Sequence, residues 1–444
     1  MTRFTGIRRL AGYPAVPLGL LLNGSFYYFV LMHLAGVSPF PLATGIFYAL
    51  LCAWAVMAVL VHRKEVAIKF HLADGFFILL MITIALSAAL HDLVGTEKYL
   101  RFVPFFVLVP YICARMLSEK QVSIFIQVSA WCGGLALLVI GAWIIILFPQ
   151  DYGDRPLLFG YSHLGVLSSM LLGSLTVLII AYIVRPAAQG SRSILEKIGL
   201  AILPLAIATM MYLGGRGSIA AMVVTSAAIL LSAIFFGARK KLLLLLGVYL
   251  LVCLVFVFAF LPQNQSKFFA RATQDIRSAG QHDHVKHAGE IKNICDKIQW
   301  LEENGHSIEI RKLLYGEALS MAVSAPVFGV GAGEFGERLC RNGVYFPHST
   351  FLQALAELGL WGAGLLVGMV WLAGGGLVRI VFNKEGRAER RATAWLLLAL
   401  GCFYLITDQI YGNYFMSIPF YLLTGAGIAL AANQPMQRQQ RKAV

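Results

Sequence analysis

The stretch SIEIRKLLYGEALSMAVSAPVFGVGAGEFGERLCRNGVYFPHSTFL, residues 307–352, decides how the chain is read. It closes the one long polar interval, residues 263–347, in a sequence that is otherwise apolar nearly throughout. Ile310, Leu313, Leu314, Ala318 and Met321 recur at helical spacing, and Ala325-Pro326 stops the pattern. The spacing predicts an amphipathic helix over 307–324 with Arg311 near its start. Upstream, Phe268 to Gly305 is polar with no clear period. Downstream, Phe346-Pro347 delivers His348 to the first turn of an apolar helix that opens Ser349-Thr350-Phe351-Leu352. A structured loop of this length usually serves a function.

The rest of the chain is a membrane scaffold by composition. Its 444 residues are 59% hydrophobic and 13% charged, a balance that leaves too little polar surface for a soluble protein. Apolar runs of about 20 residues mark transmembrane helices. The alternating pattern of an outer-membrane barrel is missing. The expected fold is an all-α polytopic membrane protein with about twelve transmembrane helices. They fall at 12–33, 40–61, 72–90, 99–117, 121–148, 160–184, 197–213, 217–236, 242–261, 349–378, 392–409 and 415–433. The chain thus divides into nine spans over 1–261, a long loop over 262–348, and three spans with a tail over 349–444. No cleavable signal peptide is expected, because Arg3, Arg8 and Arg9 are followed by a full-length apolar segment.

The net charge of +14 would suggest nucleic acid on a soluble protein. Here it sits largely in short loops. His62-Arg63-Lys64, Arg115 with Lys120, Arg185 to Lys197, Arg239-Lys240-Lys241, Arg379 to Arg391 and both tails fall on one side. Basic loops face the cytoplasm, so the long loop is expected on the opposite side, and nucleic acid is not an expected partner. Five of the seven cysteines lie in or beside apolar runs, as packing residues do. Cys295 and Cys340 share the long loop and could pair if their side of the membrane is oxidising.

On the loop side, basic residues gather at helix ends. Lys98 and Arg101 open one helix, Arg155 precedes another, and Arg216 sits in the Gly214-Gly215-Arg216-Gly217 turn. Arg271 and Arg311 add to them from the loop. Each alone is as well explained by snorkelling to lipid headgroups. As a set they suit a multiply charged anion, whose phosphate oxygens match guanidinium forks. His348, at a helix N-terminus, would tend to stay neutral and could act as a base, or simply as a capping group. Asp408, at the loop-side end of its span, either orients His348 or pairs with an arginine. Gly331 to Gly336 matches a dinucleotide fingerprint only literally. Without a βαβ context it is a flexible turn. His282, Asp283, His284 and His287 lie in a polar tract with no helix to hold them as metal ligands. No metal site and no cofactor is expected.

The sequence resembles the O-antigen ligase family, which shares a domain with O-antigen polymerases and periplasmic protein O-oligosaccharyltransferases. The likeness is sharpest over Arg311, Tyr315, Ala318, Pro326, Gly329, Gly331, Gly333 and Phe335, then His348, Leu352, Glu357, Gly359 and Gly362. Tyr315 stands where tryptophan is more usual, and Ser349 where asparagine is more usual. The resemblance implies a multi-pass bacterial inner-membrane glycosyltransferase of the C-type helical class, its site facing the periplasm. It would move O-antigen from undecaprenyl diphosphate to a sugar hydroxyl of lipid A–core, as a monomer among membrane lipids. Arg216 and Arg311 would hold the diphosphate and His348 would activate the acceptor hydroxyl, with inversion and without metal. Lys98, Arg101, Arg155 and Arg271, with Asp408, would complete substrate binding. A polymerase or a protein O-oligosaccharyltransferase is the nearest alternative. A transporter or flippase suits the span count, but internal repeats and midplane charges are not what the sequence shows.

Overall fold

Apolar runs become helices here because a bilayer offers backbone groups no hydrogen-bonding solvent, so each must be satisfied within its own segment. The computed structural model describes residues 13–34, 41–62, 69–90, 103–147, 157–158, 162–184, 216–238, 240, 247, 251, 293–303, 307–340, 345–411, 413–414 and 417–432. The elements are α1 (Ala15–Leu22), α2 (Gly24–Leu34), α3 (Pro41–His62) and α4 (Leu72–Leu90). A π-helical turn, Pro104–Leu108, runs into α5 (Val109–Arg115), followed by α6 (Glu119–Leu147). Two-residue strands β1 (Leu157–Leu158) and β2 (Ser162–His163) pair antiparallel before α7 (Leu164–Val184) and α8 (Arg216–Phe235). The loop contributes α9 (Ile294–Glu303), α10 (Ser307–Ser324) and α11 (Glu334–Leu339). The chain then forms α12 (Thr350–Phe382), α13 (Ala388–Tyr411) and α14 (Ile418–Ala432).

Among the described residues, five helices are long and apolar enough to cross a membrane, six with the bent pair α1–α2. The expected spans 197–213 and 242–261 lie almost wholly outside the described residues. The expected single span 12–33 is instead broken, with α1 and α2 meeting at 80°. Buried Asn23 sits at the break. Its Nδ2 donates to the carbonyls of Gly19 and Ser129, and its Oδ1 accepts from Ser174. A side chain that can stand in for backbone partners lets a helix stop inside an apolar bundle. The π turn has a similar cause: Pro110 has no N–H to give the preceding turn, and Cys52 Sγ donates to the Phe105 carbonyl there.

Contacts between connections define two ends of the bundle. At one end Arg387 pairs with Glu119 at 2.7 Å, and Arg390 donates to the Leu430 carbonyl. Nearby, buried Arg115 grips Asp74 through Nε at 2.9 Å and Nη2 at 3.1 Å, with Tyr111 donating to the same carboxylate. The other end carries the loop helices. These have a small core of their own: Ile298, Leu314, Ala318, Phe335 and Leu339 pack on Ala356 of α12. A disulfide joins Cys295 to Cys340 within it, as the sequence anticipated for an oxidising compartment. α10 spans the residues the spacing indicated, 307–324. By contrast, 294–303 was expected to lack a period, yet it forms α9 with Ile298 and Leu301 buried.

The glycine-rich turn is fixed, not flexible as its composition suggested. α12 is interrupted at Gly359, where φ is 67°. The freed backbone is taken up by the turn. Val330 and Gly331 donate to the carbonyls of Ala356 and Glu357, while Leu360 and Trp361 donate to those of Pro326 and Val327. A side chain at Gly329 would overlap the Glu357 carbonyl, and one at Gly359 the Val327 carbonyl. Both also have positive φ, so only glycine fits without strain. Glu357, wholly buried, locks the same turn: it accepts from the N–H groups of Gly333 and Phe335, from Gln353 and from Tyr414.

Candidate active site

His348 stands one residue outside α12, not in its first turn. Ser349 is the N-cap, with Oγ accepting from the Leu352 N–H. Asn and Ser both fill this position well, so the serine keeps the capping function of the more usual asparagine. The cap is held from a second side, because Ser349 Oγ donates to Gln409 Oε1 at 2.7 Å. His348 itself has φ 53°, and it is the one non-glycine residue with positive φ among those described. Such backbone costs about 1–2 kcal/mol for an ordinary L-residue and persists where the surroundings over-determine it. Buried Pro347 on one side and the doubly bonded Ser349 on the other supply that constraint. The Phe346 ring lies 4.3 Å from the imidazole, tilted across it.

The imidazole is mostly buried beside Arg311, and its pKa is lowered to about 4, first by burial and then by the Arg311 charge. In the sequence, a helix N-terminus is what favours a neutral His348. Neutrality holds, but desolvation and a guanidinium cause it. α10 brings Arg311 there. It packs along the first turns of α12 through Leu314 and Ala318, and Tyr315 Oη donates to the Gln409 carbonyl at 3.4 Å. A tyrosine hydroxyl thus does what an indole N–H does in the more usual tryptophan: it places a donor at the end of a ring.

Among the described residues, Asp408 takes part in hydrogen bonds with hydroxyl groups. Its carboxylate accepts from Thr350 and Ser417. Both hydroxyls lie at helix starts, so Asp408 ties α12 and α14 to the end of α13. The carboxylate is buried, and these two hydroxyls donate to it. Arg216 is the first residue of α8. Lys98, Arg101, Arg155 and Arg271 lie outside the described residues, as do His282, Asp283, His284 and His287. The structure therefore brings Arg311 and His348 together and gives Asp408 partners at the starts of α12 and α14. Gln409 was missed, since nothing local distinguishes it from any glutamine at a helix end. Glu357 had a signal in its place within the motif, but three of its four partners are more than 20 residues away.

Residues 201–367 match the family model described as O-Antigen ligase. Over that stretch the chain is similar to the O-antigen ligase family. The match takes in Arg216, α10, the glycine turn, His348 and the break in α12. No curated protein matches the chain. Members of that family are glycosyltransferase-like enzymes of glycan assembly.

Proposed function

We propose that this protein transfers O-antigen from undecaprenyl diphosphate to a sugar hydroxyl of lipid A–core. The observation that carries the reading is the pairing of a neutral imidazole with a guanidinium, His348 with Arg311, on a rigid mount. Transfer needs two things. The acceptor hydroxyl must lose its proton as it attacks the anomeric carbon, and a positioned base contributes about 10²–10⁴-fold to that. The bond from that carbon to the diphosphate then breaks, and the departing diphosphate gathers negative charge that fixed cations stabilise. His348 Nδ1 or Nε2 takes the proton. Arg311 and, from the start of α8, Arg216 hold the diphosphate, with Lys98, Arg101, Arg155 and Arg271 supplying further positive charge. Attack from the face opposite the leaving group inverts the anomeric centre, and the diphosphate leaves without needing a metal-bound oxygen as nucleophile.

The location follows the same reading. Basic connections at the Arg387–Glu119 end mark the cytoplasmic side. The Cys295–Cys340 bond at the other end suits an oxidising periplasm. The site then faces the periplasm of a bacterial inner membrane.

The test is reconstitution of purified protein with undecaprenyl-linked glycan and rough lipopolysaccharide. Wild type is expected to join glycan to lipopolysaccharide, in EDTA as in its absence, and His348→Ala to join none. Full ligation by His348→Ala overturns the mechanism. Extension of the lipid-linked glycan, with none reaching lipopolysaccharide, assigns the protein as a polymerase instead.

A further inference from the structure

We propose that residues 318–333, placed by the sequence in an extramembrane loop, form a re-entrant hairpin whose exposed rim is solvated by the acyl chains of the loop-side bilayer leaflet. Charge marks the first boundary. Glu309, Arg311, Lys312 and Glu317 fall in the first part of α10, and no ionisable residue follows until Glu334. The exposed positions change character at the same point. Lys312 is exposed near the helix start, whereas Leu319, Val323, Val327 and Phe328 are 51%, 80%, 55% and 66% exposed. Water would not favour that many bare apolar side chains in a row.

Depth marks the second boundary. α10 and α12 run side by side in the same direction, with Arg311 beside His348 and Pro326 and Val327 bonded to Leu360 and Trp361. Leu360 is ten residues into α12, roughly 15 Å from its start at 1.5 Å per residue. The tip of the hairpin therefore sits level with the body of a membrane-spanning helix. Its exposed rim is continuous with that helix's own bare face, where Leu360 is 66% and Trp371 78% exposed. The occupant is then the lipid that covers α12.

Backbone accounting supports it. Irregular backbone survives at membrane depth only when its polar groups are met within the protein. The turn meets this condition through Gly329 to Ala325, Val330 to Ala356, Gly331 to Glu357, Ala332 to Ser87 and Gly333 to the Glu357 carboxylate. A water-exposed loop has no need of such closure. One consequence is that Arg311, seven residues before Ala318, would lie roughly 10 Å above the hydrocarbon edge, at headgroup level.

The test uses nitroxide labels on single cysteines, with free cysteines replaced and the Cys295–Cys340 bond kept, in phosphatidylethanolamine–phosphatidylglycerol vesicles. Val323→Cys and Phe328→Cys are expected to show the high oxygen and low nickel-chelate collision rates of a Trp371→Cys reference on α12. Their oxygen-to-nickel ratio should exceed that of Lys312→Cys several-fold. Nickel access at 323 and 328 equal to that at 312 puts the hairpin in water and overturns the proposal. Exclusion of both reagents means a protein partner covers the rim, and overturns it too. Phe328→Trp in the same vesicles is expected to gain quenching by brominated lipid over wild type, and no gain counts against burial in lipid.

Discussion

His348 combines two costs that a purely structural residue would avoid: a left-handed backbone and a mostly buried, uncharged ring beside a guanidinium. The backbone cost guides the choice of variant. Asn tolerates φ near 53° far better than Ala does, so His348→Asn keeps the turn while removing the proposed base. Ligation is expected to fall about 10²–10⁴-fold with the thermal midpoint in detergent within a degree or two of wild type. A large drop in midpoint would show that the imidazole holds the fold. The ring's neutrality fixes the pH profile. An ordinary histidine, near 6.5, is half protonated at that pH and loses base function below it. His348, lowered to about 4, stays unprotonated through that range. The acid limb of kcat/KM that it governs is therefore expected near pH 4, with a flat profile from pH 6 to 8. Burial is the larger cause and Arg311 the second, so Arg311→Met should move that limb upward while lowering the rate through loss of the proposed diphosphate contact. Arg311→Lys should also lower the rate, because an ammonium cannot reproduce a bidentate fork. An acid limb near 6.5 in wild type would mean that another group is the base.

At the scale of elements, one turn links the loop to the membrane. Gly359 breaks α12 so that the turn at 326–331 can complete its hydrogen bonds. Gly359→Ala and Gly329→Ala each force a Cβ onto backbone of the other strand of this junction. Neither backbone can yield without breaking those bonds, so each variant is expected to lose several degrees of thermal midpoint, and Gly364→Ala, with open space around it, almost none. Glu357→Leu strands the N–H groups of Gly333 and Phe335 and the Tyr414 hydroxyl, at about 1–3 kcal/mol for each buried group left unmet. This junction explains what could be read in the sequence and what could not. α10 was legible to its end residues because its apolar spacing and its proline stop are local. α9 was not, because Ile298 finds its partners in α10 and α11. The turn looked flexible because its bonds go to Ala356, Glu357, Leu360 and Trp361, none of which a local window contains. Arg311 and His348 were legible as chemistry, but their meeting depends on this long-range docking. The Cys295–Cys340 bond ties the two ends of the loop subdomain across 45 residues. Its removal by Cys295→Ala with Cys340→Ala costs about 2–4 kcal/mol in the chain-entropy view. The expected readout is faster proteolysis within 293–340 and unchanged cleavage elsewhere.

Across the whole molecule, charge is sorted along the bundle axis. One end gathers Arg115, Glu119, Arg387 and Arg390 with Asp74; the other gathers Arg311, His348, Asp408 and the loop helices. Buried Asp74 and Arg115 are 12% and 6% exposed in their side chains, and such a pair contributes little over an apolar pair yet costs about 3–5 kcal/mol when one partner is removed. Asp74→Ala should therefore destabilise the helix bundle strongly. The same sorting makes a topological prediction that needs no enzymology. Lys312 on α10 and Lys384 between α12 and α13 are both exposed, and one membrane-spanning helix separates them. Single cysteines at these two positions, in a background without free thiols, are expected to respond oppositely to a membrane-impermeant maleimide. Lys312→Cys should label when only the outer membrane has been opened, and Lys384→Cys only after the inner membrane is also permeabilised. Labelling of both from one side would mean that α12 does not cross the bilayer. Reversed labelling would place the His348–Arg311 pair in the cytoplasm, where neither a structural disulfide nor a periplasmic glycan acceptor belongs.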